Sequence, residues 1–375
     1  MNSIRWSQAA PCPKFCRRCR SEIGCRSGGL VSKDQAMTNS ARTGSLDWLP
    51  DRLAATAFRL GRVDEAVEAV GALAAHWSDS QPIGLTQTEL GRQWVTSVVG
   101  IRPVPPLAAV LFSEAIHHLR AAIENTLFYL VENERGAVLT ERDARAVEMP
   151  VLDDESKFRE WQNKVARRIP ELGAGTRLAG RVEALQPYVD TVSQVPSISP
   201  RLAAMMGVRV ENEHPMRLIQ RYSNLDKHRS LRFCATGTIA TTSKVAMAES
   251  DLAFRRMEVG LVLSATTPGD PVALELQSAL LIERPDSSVL VGPVPELTLL
   301  HRHVADEVIP TLVRGLSAPR SFPPQIELSD NGWSDAERLN RAGGKFAQER
   351  WDEGTAVRMF QAWQRSPHVL APPGE

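Results

Sequence analysis

The sequence predicts an α+β protein: a mainly helical bundle with a small antiparallel sheet inserted before the last core helix. Three observations predict it. Residues 107–131 place apolar side chains at three- and four-residue spacing over a face more than about 100° wide, as a central helix does. Residues 231–292 switch to β-branched or alternating runs broken by turn residues. Helical spacing then returns over 294–315.

The chain opens on a segment unlike the rest. Residues 1–36 carry Cys12, Cys16, Cys19 and Cys25 as C-x3-C-x2-C-x5-C and only scattered apolar residues without helical or strand spacing. Four thiolates suffice for a tetrahedral zinc site; a disordered basic arm and a mis-started segment ahead of Met37 are the other readings. The segment is expected to be unstructured, and it lacks the apolar centre of a secretory signal. Only Cys234 remains in the other 339 residues, so no disulfide framework exists and a cytoplasmic location is expected.

A core domain is expected over 47–316. Leu53, Ala57, Leu60, Val63, Val67 and Val70 make 50–77 a helix, with Asp51 as its cap. Residues 92–100, with Trp94, Val95, Thr96, Val98 and Val99, read as a strand that Pro103, Pro105 and Pro106 end. In 107–131, Phe112, Ile116, Leu119, Ile123 and Leu127 face the core, and Glu114, His118 and Asn125 line one polar edge. Further helices are expected over 155–169, 176–188, 201–208 and 214–230, with Pro170 and Pro187 near two of the ends. Strands follow at 231–242, 256–265, 272–283 and 288–292, with turns at Pro268-Gly269-Asp270 and Pro285-Asp286. The helix 294–315 runs through Leu297, Leu300, Val304 and Leu312, and Pro310 kinks it.

Residues 317–332, with Pro319, Pro323 and Pro324, read as a linker. Ser334 and Glu337 form a capping-box pattern that starts a helical tail over 333–375. Its Trp351, Met359, Phe360 and Trp363 either fold back on the core or dock onto a partner.

Charge constrains one broad class. The 44 basic and 44 acidic residues cancel, so nucleic-acid binding would need a local patch. Residues 201–232 supply one, with seven basic residues against three acids. No run approaches the roughly 20 apolar residues of a membrane span.

The sharpest candidate site is Arg221–His228. Seven helical residues turn through about 700°, so the two side chains share a face about 10 Å apart along the axis, with Asn224 between them. Arg can hold a phosphate, and His can move a proton from a ribose 2′-hydroxyl. The structural alternative is equally physical: Asp226, Lys227, His228 and Arg229 fall at a helix end, where cations complement the dipole. Either way, the Glu114, His118 and Asn125 edge is expected to face the Asn224–Arg229 segment. His301 and His303 lie about 200° apart on their helix, cannot share a metal, and are expected on the surface. Cys234 is expected as a buried structural thiol. No phosphate loop, nucleophile elbow or dinucleotide fingerprint occurs, and neither a cofactor nor a metal is expected.

His117-His118-Leu119-Arg120-Ala121-Ala122-Ile123-Glu124, Met149-Pro150-Val151, Leu185-Gln186-Pro187-Tyr188 and Asn224-Leu225-Asp226-Lys227-His228-Arg229 together resemble a widespread group of uncharacterised bacterial proteins over about residues 92–315. That group usually reads closer to H-N-L-R-S-A-L-D-H in the first segment, so Glu124 stands where Asp is commoner. The resemblance implies no particular activity. A second resemblance is to HEPN-type helical ribonucleases, whose signature is an Arg, four to six residues and a His. Many of them carry a polar residue straight after the Arg, where this chain has Tyr222. The expected function is therefore a bacterial cytoplasmic binding or regulatory module. The alternative is a metal-independent, HEPN-like ribonuclease that acts on RNA as a homodimer through Arg221, His228 and Asn224.

Overall fold

The computed structural model describes residues 46, 48–241, 254–267, 274–315 and 322–354. The four N-terminal cysteines, the 268–270 turn and Met359, Phe360 and Trp363 lie outside the described residues. The architecture is α+β, a helical body with small antiparallel sheets. Among the described residues, no helix is long and apolar enough to cross a membrane.

A 3₁₀ turn, Asp51–Leu53, leads into α1, Ala54–Asp79. Asp51 makes no side-chain cap bond, contrary to expectation. It follows Pro50 and lies inside the turn, three residues before the α-helix proper. A two-stranded hairpin follows, β1 (Ile83–Leu90) and β2 (Gln93–Ile101). Next comes α2, Pro106–Arg135, whose 30 residues span about 45 Å. Pro106 fits its first turn because the missing N–H would have no helical partner there. Gly136, at φ 68°, ends it in the left-handed conformation that a side chain would disfavour. Phe112, Leu119, Ile123 and Leu127 on α2 are fully buried in the main core beside Leu60 and Val63 of α1.

Shorter helices wrap this pair: α3 (Glu155–Val165), α4 (Arg177–Ala184) and α5 (Pro200–Met206). Two-residue strands β3 (Val195–Pro196) and β4 (Asn212–Glu213) then pair just before α6, Pro215–His228. Strands β5 (Phe233–Thr241), β6 (Arg255–Arg256), β8 (Leu274–Glu283) and β9 (Leu290–Val291) form a sheet in the order β6-β5-β8-β9. Strand β7, Val262–Thr266, leaves this insertion and pairs with β2, Trp94 opposite Thr266. The expected single sheet is thus two, because the early hairpin, of which only β2 was expected, offers β7 an open edge.

Helix α7, Pro293–His303, continues through a π-turn, Val304–Val308, into α8, Ile309–Arg314. Pro310 has no N–H, and its ring would strike the carbonyl four residues back in a regular α-helix. Widening the preceding turn relieves that clash.

The segment read as a linker is packed where it is described. Phe322 and Ile326 are buried in the main core, and Gln325 bridges to Gly343. Gly61 makes room for it: a Cβ there would sit 3.0 Å from Cβ of Ile326. That close approach explains a glycine in mid-helix, at an intrinsic cost of about 1 kcal/mol. Ser334 and Glu337 complete the expected capping box at the start of α9, Asp335–Arg341. Beyond it, the amide of Ala347 donates to Asp64 of α1 at 2.7 Å and Arg350 pairs with the same carboxylate at 2.8 Å.

Candidate functional site

Helix α6 organises the polar interior. Its middle residue, Tyr222, is fully buried and donates its hydroxyl to Glu296 of α7 at 3.1 Å. Glu296 also accepts two bonds from Arg284, at 2.9 and 2.8 Å. Arg284 in turn donates to the carbonyls of Val195 (3.0 Å) and Glu211 (3.2 Å). Burial pushes the Glu296 carboxyl up, opposed by Arg284 and then Tyr222. A buried charge pair is tolerable only when its remaining lone pairs and protons are bonded, as here. The network ties the β3–β4 ladder, α6, β8 and α7 together. Tyr222, the residue that departs from the ribonuclease pattern, belongs to this framework.

The motif runs from the middle of α6 to its C-terminal end. Arg221 is half-buried, donates to Glu213 at 3.0 Å and lies 3.9 Å from Asp286. Glu213 also binds Arg217, which pairs with Asp153. Asn224 is exposed and accepts from Gln220 at 3.1 Å. Asp226 accepts from Ser113 of α2. Lys227 and Arg229 are exposed, and the His228 side chain lies outside the described residues.

The Glu114–His118 edge does not turn to that segment. Glu114 accepts from Arg62 of α1 at 2.7 Å, and Arg59 of α1 lies 3.4 Å from His118 Nδ1. Asn125 is exposed. Burial, and then Arg59, push His118 below the usual imidazole range. The expected shared locus is thus divided between two faces of α2. Glu114 and His118 belong to the edge against α1, whereas Ser113 belongs to the edge against α6.

Three of the segments that carry the bacterial resemblance hold one another. Arg120 donates to the carbonyl of Met149 at 2.8 Å, and the Met149 amide donates to Glu124 at 2.9 Å. Gln186 donates to the carbonyl of Pro150 at 3.1 Å and accepts from the amide of Leu152 at 3.0 Å. Burial lifts the Glu124 carboxyl, against the pull of Arg120. These residues clamp the 149–152 backbone to α2 and to the turn after α4, which is an architectural task. Cys234 is buried in β5 as expected, with the Arg256 guanidinium 2.7 Å from its sulfur.

The N-terminal end of α6 differs from all of these. His214 occupies the cap position, delivered by the β4 strand and followed by Pro215. It is 3% exposed. Its ring meets His303 edge-to-face, centroids 5.7 Å apart. Asp190, in the loop after α4, lies 3.4 Å from His214 Nε2. The other Asp190 oxygen accepts from the amides of Val192 (3.3 Å) and Ser193 (3.0 Å), fixing the carboxylate. Ligand atoms of Asp190, His214 and His303 all lie within 4.8 Å of one another. Among the described residues, the buried His214 Nδ1 and His303 Nε2 have no hydrogen-bond partner. Burial pushes His303 down to about 3, helped by the neighbouring His214. Burial opposes ionisation of Asp190, yet the bonds from Ser193 hold it below the usual carboxylate range.

His301 and His303 are therefore not surface residues. His301 is 1% exposed and packs edge-on against Phe346, and His303 is 7% exposed. The helical phase separated them correctly, but the apolar residues around them sink the whole turn into the core. Asp190 and His214 carried no local signal at all, since the three groups come from segments up to 113 residues apart. Comparison with protein-family models, with curated proteins and with solved structures finds no match for this chain.

Proposed function

We propose that this chain is a binding or regulatory module and performs no catalysis through its Arg221–His228 stretch. One observation carries the reading: the Arg221 guanidinium is already matched by Glu213, with Asp286 on its other side. A phosphate would have to displace Glu213 and sit among its carboxylate neighbours, which repels rather than concentrates an anion. Asn224 and Asp226 are likewise bonded within the fold. The binding reading is supported by the β1–β2–β7 sheet, where Leu90, Trp94, Val99 and Val262 stay exposed.

The test is incubation of the full chain with single-stranded RNA in EDTA. No cleavage is expected. Cleavage that disappears in both Arg221→Ala and His228→Ala would replace this reading by the metal-independent ribonuclease.

A further inference from the structure

We propose that Asp190, His214 and His303 form a binding site for a divalent transition-metal ion, zinc in the first place. Two imidazoles and one carboxylate are a donor set that zinc accepts, with water completing a tetrahedron. Donor atoms bonded at about 2.0–2.2 Å to a tetrahedral zinc lie about 3.2–3.6 Å from one another. A triad already within 4.8 Å needs only small side-chain rotations to reach that shell.

Two features point to a ligand rather than to packing. A buried polar atom in a folded protein almost always has a partner, yet one nitrogen of each imidazole has none. The contact that does exist, 3.4 Å from His214 Nε2 to Asp190, is long for a hydrogen bond. The surroundings suit a cation. Two imidazole nitrogens and a carboxylate oxygen meet in one buried place, the donor types that a divalent transition metal takes. The Val192 and Ser193 amides orient that carboxylate from behind, as outer-shell donors do at metal centres. Asp190 is 19% exposed, giving the ion and its water an approach from one side. The π-turn begins at the residue after His303, and such turns recur at functional sites.

The experiment must separate this site from the cysteines at 12, 16, 19 and 25. The full chain with all four changed to Ser is titrated with zinc chloride and its bound metal measured after dialysis. One zinc per chain is expected, with a rise in melting temperature on adding zinc. In that background, Asp190→Asn combined with His303→Gln should weaken binding roughly a hundredfold or more while leaving the circular dichroism unchanged. Should that variant fail to fold, Co²⁺ bound to the four-Ser chain decides the matter. Tetrahedral ligand-field absorption without thiolate charge-transfer bands supports the site, and its absence overturns it. Zinc that vanishes with the four cysteines, or that the folded double variant retains, also overturns it.

Discussion

From its middle to its C-terminal end, α6 presents Arg221, Asn224 and Asp226, each bonded to a neighbour within the fold. At its N-terminal end, it presents His214, which faces His303 and Asp190, with one buried nitrogen on each ring lacking a partner among the described residues. The first end looks like a site in the sequence because its charges sit close together in the chain. The second does not, because its groups meet only after folding. Charge density in a sequence thus marks where a helix end needs neutralising, whereas unmatched buried polarity marks where something else is still to bind.

The comparison depends on α6 being held rigidly between its ends, and the Tyr222–Glu296–Arg284 network is what holds it. Glu296→Ala should therefore have the largest effect, about 3–5 kcal/mol of stability in urea denaturation, because Arg284 is left charged and buried. A loss below about 1 kcal/mol would mean that water or rearrangement replaces the carboxylate, and α6 would not be a fixed frame.

Asp64 sharpens the contrast, being buried with its partners in place. Burial raises its carboxyl from 3.8 to about 6, against the pull of Arg350. The folded chain then binds a proton that the unfolded chain releases between about pH 4 and 6, so stability from this group falls as pH rises through that window. Asp64→Asn should remove about 2–3 kcal/mol of that pH dependence. An unchanged slope between the two proteins would show that Asp64 titrates normally and that the Ala347–Arg350 contact opens readily.

Arg221→Ala should have the smallest effect, under about 1 kcal/mol, since Arg221 itself is 35% exposed and water screens its pairs. A loss above about 2 kcal/mol in thermal melts would place Arg221 among the structural anchors with Arg284.

Much of the fold was legible because it rests on periodicity. The spacing of Phe112, Leu119, Ile123 and Leu127 is a local property, and so is the Ser334–Glu337 capping box. Strand partnership was not legible: nothing in Val262–Thr266 says that its neighbour is β2 rather than β5. The expected linker concealed Phe322 and Ile326, whose burial depends on Gly61 some 260 residues earlier. The Glu114–His118 edge was visible as polar, but its partner helix was not, because a two-sided helix like α2 has two polar margins. For the candidate site, the helical spacing shows His303 but not that it is buried. Its neighbour Leu300 and its successors Val304 and Ala305, all buried, were the signal that it goes inward.

The most direct measurement is amide hydrogen exchange along α6 in the full chain with its four N-terminal cysteines changed to Ser, recorded with zinc and then with single-stranded RNA. The expected result is zinc-dependent protection of Glu213–Arg217 and of the 303–308 turn, with Leu225–Arg229 unchanged by either addition. Protection that appears at Arg221–Arg229 with RNA, and nowhere with zinc, would contradict it: the C-terminal end would then be the site and the N-terminal end the packing.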